Sequence, residues 1–187
     1  MRFMNTQLYF LRSSEHFIVK ELLHYAARLD ETAETLDTHP SLEQYHRNYG
    51  NFSGDIGVYV TVEHKVTGGA WVRLLLNGSA YVDTNTPELV LSVLPQYRNQ
   101  GLETLILEQL FKEAAKIYPQ VSLSVRKDDP AVNLYERLGF QKVENSEQSD
   151  SRGSPTFTMV KKFEKTLQDE PEQKSLEEER FRKSFGF

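Results

Sequence analysis

The chain has 187 residues, 39% hydrophobic and 26% charged, enough for one domain with a real core. Its net charge of −5 argues against general affinity for nucleic acid, and no apolar run approaches the roughly 18 residues a membrane helix needs. Cysteine is absent, and His16, His24, His39, His46 and His64 are scattered without a ligand-like pair such as HExxH, so a disulfide framework, a thiol nucleophile and a metal site are not expected.

MNTQLYFLR reads as a first strand, with Ser13 and Ser14 as candidate caps for the helix that follows. From Glu15 to Leu29, Phe17, Ile18, Leu22, Tyr25, Ala26 and Leu29 recur at helical spacing. SLEQYHRNYG suggests a second, shorter helix closed by Gly50. DIGVYVTVEH and GGAWVRLLL read as two strands joined by a turn at KVTGG. In TPELVLSVLP, Leu89, Leu91 and Val93 alternate with Glu88, Val90, Ser92 and Leu94, and proline flanks the strand at both ends.

A polar loop with one glycine, YRNQG, then opens an amphipathic helix whose buried face is Leu102, Leu105, Ile106, Leu110, Ala114 and Ile117. VSLSVR alternates as a strand. Asp129 and Pro130 suit the start of the helix PAVNLYERLG, which Gly139 ends. FQKVE and SPTFTMVKKF read as closing strands around the polar loop NSEQSDSRGS. The order is one of α/β (α+β) type: about seven strands in a mixed, partly parallel sheet with helices on both faces. Residues 1–163 form the expected domain. Residues 164–187 are a charged tail, where Ser175 and Glu178 form a capping box for a short exposed helix. The N-terminus lacks a signal-peptide layout, so a cytoplasmic protein is expected.

VLPQYRNQGLETLILEQL resembles the cofactor loop of the GNAT N-acetyltransferase superfamily, which reads Arg or Gln, two residues, Gly, one residue, then Gly or Ala. Arg98, Asn99, Gln100, Gly101 and Leu102 match, whereas Glu103 departs. DDPAVNLYERLGF resembles the family's second signature, with Asp128 and Asp129 where asparagine is usual. The resemblance covers about residues 5–163. It implies a mostly antiparallel GNAT-like sheet, acetyl-CoA as acyl donor without a metal, and direct transfer to the amine of a small molecule or peptide. No nucleic acid or membrane partner is expected, and a homodimer through the tail stays open. The implied cofactor contacts are Val93, Leu94, Arg98, Asn99, Gln100, Gly101, Leu102, Glu103 and Thr104.

A helix start offers unpaired N–H groups and about half a positive charge, and Gly101 lets a phosphate approach. The same glycine could simply turn the chain. Glu103 suits a first helical turn but repels a pyrophosphate. Asp129 is either a helix cap or a replaced pantetheine contact. By resemblance Tyr135 is the general acid, protonating the departing thiolate; its alternative is core packing. Glu88 is the candidate base; its alternative is a solvent-facing strand residue. The competing function is a catalytically silent domain that binds CoA weakly or serves interaction.

Overall fold

A computed structural model describes residues 5–150 and 152–164. Strand β1 (Thr6–Phe10) precedes helix α1 (His16–Ala26) and the four-residue helix α2 (Glu43–His46). Strands β2 (Ile56–Val62), β3 (Lys65–Arg73) and β4 (Glu88–Val93) follow. Helix α3 (Leu102–Ala114) crosses to β5 (Gln120–Arg126), and α4 (Ala131–Arg137) leads to β6 (Gln141–Lys142), β7 (Gln148–Ser149) and β8 (Pro155–Lys162). The sheet order is β1-β2-β3-β4-β5-β8-β6, with β7 also paired to β8. Every pairing is antiparallel except β4 with β5.

The mixed, mostly antiparallel sheet is as expected, and each of its faces carries helices. One core joins Val58, Val60, Ala70 and Val72 to Ile106, Leu107 and Leu110 of α3. The other joins Trp71 to Val19, Leu22 and Leu23 of α1 and to Tyr45. The two-residue period of β2 and β3 assigns alternate side chains to these two cores.

Several local expectations change. The sheet has eight strands, because Gln148 and Ser149 pair with Thr156 and Pro155 inside the stretch read as an irregular polar loop. Both residues are exposed, so no apolar alternation marks them. The β2–β3 turn lies at Glu63 and His64, both with positive φ (50° and 65°), not at KVTGG. Gly68 and Gly69 are strand residues, absent of side chain because the neighbours are close. A Cβ on Gly69 would sit 2.8 Å from Leu22 Cδ1 and 2.8 Å from Val58 O. Ser13 and Ser14 form a short 3-10 turn without a side-chain cap bond, and the Glu15 carboxylate instead accepts the Arg12 N–H (2.7 Å). Helix α1 ends at Ala26, because Arg28 adopts a left-handed backbone. Leu105 and Ile117, expected on the buried face of α3, are exposed. The tail 165–187 and its capping box lie outside the described residues.

Gly69→Ala is expected to destabilise the fold by about 1–3 kcal/mol, since the added methyl meets backbone on one side. A urea midpoint equal to that of the parent chain would contradict this packing.

Candidate active site

β4 and β5 meet at one register pair, Glu88 with Ser122, reinforced by the Ser122 N–H donating to Pro87 O (3.0 Å). Beyond it the strands part. A cavity of about 450 Å³ fills the opening, with Leu89 and Leu91 of β4, Leu123 and Val125 of β5, and Tyr135 of α4 in its wall. On its other edge β4 is paired with β3 along its length, and just beyond it Leu94 N–H donates to Thr67 O of β3 (2.9 Å). Ladder bonds alternate along an antiparallel pair. The main-chain groups of Glu88, Val90 and Ser92 therefore face β3, and those of Leu89, Leu91 and Val93 face the gap. Of the expected pair, Val93 turns its N–H toward the opening, while Leu94 spends its own on β3.

Tyr135 is 8% exposed. Its ring packs edge-on against Phe140 at 5.5 Å, and the Tyr135 carbonyl accepts Phe140 N–H (3.0 Å). No group among the described residues bonds its hydroxyl. Burial, followed by the charges of Asp129 and Glu103, pushes its pKa above the usual tyrosine value. The phenol thus keeps its proton at neutral pH and has a hydrogen bond left to give.

Glu88 is buried rather than solvent-facing, at 5% exposure. Its Oε1 accepts the hydroxyls of Tyr45 (2.8 Å) and Ser79 (2.9 Å), and its Oε2 accepts Ala80 N–H (3.1 Å). The turn lies so close that a Cβ on Gly78 would be 2.1 Å from Oε2. Desolvation raises the Glu88 pKa against the pull of these three donors. Asp129 and Asp150 also line the cavity. Asp129 pairs with Arg28 at 2.7 Å and Asp150 with Arg126 at 3.7 Å. Glu88 alone of the three lining carboxylates has no cationic partner among the described residues.

The loop 98–104 stands at the end of β4, outside the cavity wall. Asn99 (φ 58°) and Gly101 (φ 89°) adopt left-handed backbone. A Cβ on Gly101 would meet nothing within 4 Å, so the glycine serves conformation and leaves the space before the helix clear. Arg98 Nε donates to Val93 O (2.8 Å), clamping the loop to β4, and Gln100 bonds back to Gln96 O (2.9 Å). The N–H groups of Leu102, Glu103 and Thr104 are the unpaired donors of a helix start, with no side-chain cap at Gly101. Glu103 folds back so that its Oε1 accepts Asn99 N–H (3.0 Å). A carboxylate thus already occupies one amide of the loop. Asp129 is a cap: its Oδ1 accepts Ala131 N–H (2.8 Å), and its other oxygen holds Arg28.

The arrangement provides oriented main-chain donors, a protonated phenol and a carboxylate of raised pKa along one opening. Among the described residues no group of His, Asp or Glu is placed to hold a metal ion, and no helix is long and apolar enough to cross a membrane. Residues 73–163 match the model of the acetyltransferase (GNAT) domain. Over that stretch the chain is similar to a GNAT domain.

The GNAT fold extends over most of the described residues. The ribosomal-protein-S18-alanine N-acetyltransferase from Escherichia coli superposes with a TM-score of 0.61 at 19% identity, covering 88% of this chain and 98% of that one. The yncA protein of Salmonella typhimurium, solved with its cofactor acetyl-CoA, gives 0.65 at 19% identity, covering 88% and 97%. In sequence, an N-alpha-acetyltransferase of Sulfurisphaera tokodaii is 35% identical over 73 residues. That stretch is 37% of this chain and 44% of the relative, so the chain matches less than half of that protein's length.

Tyr45, Ser79, Arg28 and Arg152 line the cavity without having been singled out in the sequence. Each comes from a segment without a motif, and Tyr45 reaches Glu88 across 43 positions. The only signal was local: the apolar spacing around Tyr45 and the turn-forming Asn77-Gly78.

A carboxyl whose pKa is higher folded than unfolded keeps its proton while the unfolded chain loses it. Its contribution to stability therefore falls as pH rises from the ordinary glutamate value, about 4.3, toward the raised one. The Glu88 side-chain carboxyl carbon, followed by NMR, should titrate above about 4.3; a midpoint at or below that value would contradict the burial described.

Proposed function

We propose that the chain is an acetyl-CoA-dependent N-acetyltransferase that acts by direct transfer in a ternary complex. The supporting observation is the Tyr135 side chain, 8% exposed and with no hydrogen-bond partner for its hydroxyl among the described residues, in the wall of the cavity that also holds Glu88. Acetyl-CoA would supply the acetyl group as a thioester. The amides of Gly101, Leu102, Glu103 and Thr104 would hold its pyrophosphate at the positive end of α3. Val93 N–H would donate to the thioester carbonyl oxygen, where negative charge develops; fixed dipoles of this kind are usually the largest catalytic contribution.

Glu88 is the base of this reading. Both its oxygens are engaged, so the amine would deliver its proton to Ser79 Oγ as the Ser79 hydroxyl proton passes to Glu88 Oε1 along the 2.9 Å bond. The nitrogen then forms its bond to the acetyl carbon and the carbon–sulfur bond breaks; Tyr135 gives its proton to the sulfur and recovers one from the nitrogen, which sheds its second proton as the amide forms. Arg98 positions the loop through Val93 O rather than reaching outward. The acceptor is a small-molecule or peptide amine.

A second reading, a GNAT domain that binds CoA weakly and serves interaction, draws support from Glu103 on the Asn99 amide. A like charge about 6 Å from a phosphate costs roughly 0.7 kcal/mol at water's dielectric and about 2.8 kcal/mol at an effective value near 20. Removing it is worth about threefold to a hundredfold in affinity. Glu103→Gly is therefore expected to tighten acetyl-CoA binding by calorimetry, and equal or weaker binding would reject this account of the carboxylate.

Thermal shift separates the two readings: acetyl-CoA at about a hundredfold its dissociation constant stabilises its binder by about 2.7 kcal/mol. Tyr135→Phe is expected to lower kcat by about 10²-fold or more with the acetyl-CoA KM little changed. An unchanged chemical step would remove Tyr135 from the mechanism.

A further inference from the structure

The walls of the cavity are tied to one another above β4 and β5. Gln44 Nε2, at α2, donates to Asn77 O (3.1 Å). Gln148 Nε2, on β7, donates to Ser79 O. Arg152 donates from its two terminal nitrogens to Arg28 O and Ala27 O (3.2 Å each). Arg28 in turn holds Asp129 at the start of α4 (2.7 Å). Each of these bonds joins segments distant in sequence, and together they span the rim from α1 and α2 to β7 and α4.

A polypeptide end is bound along a trough that offers running main-chain donors and acceptors. Here the carbonyls at the rim, those of Ala27, Arg28, Asn77 and Ser79, already accept from side chains of the facing wall. The space beneath, about 450 Å³, is the size of a small-molecule pocket, roughly 300–1,000 Å³, and must hold the thioester end of acetyl-CoA together with the acceptor. Of its lining charges, Arg28 pairs with Asp129 and Arg126 with Asp150, while Arg152 is held by the two main-chain carbonyls. Glu88, the lining carboxylate without a cationic partner, therefore offers the entering ammonium its counter-charge, next to the Ser79 hydroxyl.

We infer that the acceptor is a compact primary amine rather than the terminal amine of a polypeptide, with Gln148 and Arg152 setting that limit. The inference rests on the acetyl-transfer reading and names its acceptor class. Gln148 and Arg152 act on substrate size and take no part in proton transfer.

The test measures thiol release from acetyl-CoA by the full chain. One panel holds compact amines (phenethylamine, glycinamide, spermidine, glucosamine); the other holds lysine-free decapeptides with free Ala, Ser or Met N-termini. At least one compact amine should exceed every peptide in kcat/KM by about a hundredfold. The Gln148→Gly/Arg152→Ala double variant should move the peptide-to-amine ratio toward peptides by about tenfold, and Gln148→Gly/Arg152→Lys, which keeps a donor, should reverse part of that gain. Melting curves of both variants verify folding, and the ratio is insensitive to the active fraction. Peptides matching or exceeding the compact amines, or a ratio unmoved in the double variant, would overturn the inference while leaving acetyl transfer standing. A thermal shift with acetyl-CoA but turnover of neither panel would overturn it too. No shift and no turnover would overturn the acetyl-transfer reading itself.

Discussion

β4 and β5 are parallel neighbours held at one end only, through Glu88 and Ser122. The β5–β8 pairing, by contrast, runs through seven consecutive register pairs, Gln120 with Lys162 to Arg126 with Thr156. The sheet is therefore continuous around a local opening and does not fall into two sheets. A strand edge inside a domain leaves main-chain donors that need acceptors, and those of Leu91 and Val93 face the opening. Helix α3, the crossover between the two strands, begins beside the same opening and adds its own unpaired N–H groups. The separated strands thus leave an opening closed at its foot by Glu88 and bordered by Tyr135, with the helix start at the end of β4 outside its wall.

Glu88 connects this geometry to the rest of the fold. It belongs to the β4–β5 pair that ends the opening, and its carboxylate gathers Tyr45 from α2 and Ser79 and Ala80 from the turn before β4. Burial raises its pKa, the direction a base needs to work near neutral pH. On the other wall, Asp129 starts α4, fixes Arg28 and adds to the field that keeps Tyr135 protonated. Residues that hold the architecture also set the charge states of the site.

Much of this was legible in the chain. The two-residue period of TPELVLSV marks β4, and YRNQG followed by a 3.6-residue period marks the loop and α3, because such patterns are local. LYERLGF placed Tyr135. The partners of Glu88 were not legible: Tyr45, Ser79 and Ala80 meet it only through tertiary packing, so the residue read equally well as solvent-facing. The pairing of Leu94 with Thr67 was hidden for the same reason. Gly68-Gly69 imitated a turn because glycine serves close packing as well as bending; only Leu22 and Val58 nearby decide between them. Strand β7 is two exposed polar residues, and pairing alone makes it a strand.

Amide hydrogen exchange at single-residue resolution, with and without acetyl-CoA, tests the central claim most directly, because it reads the main-chain donors themselves. The N–H groups of Val93 and of Gly101 to Thr104 are expected to slow together on addition of acetyl-CoA, while Leu94, already bonded to Thr67, stays unchanged. Slowing confined to other parts of the chain, or none at saturating acetyl-CoA, would contradict the assignment of this opening as the acetyl-CoA channel.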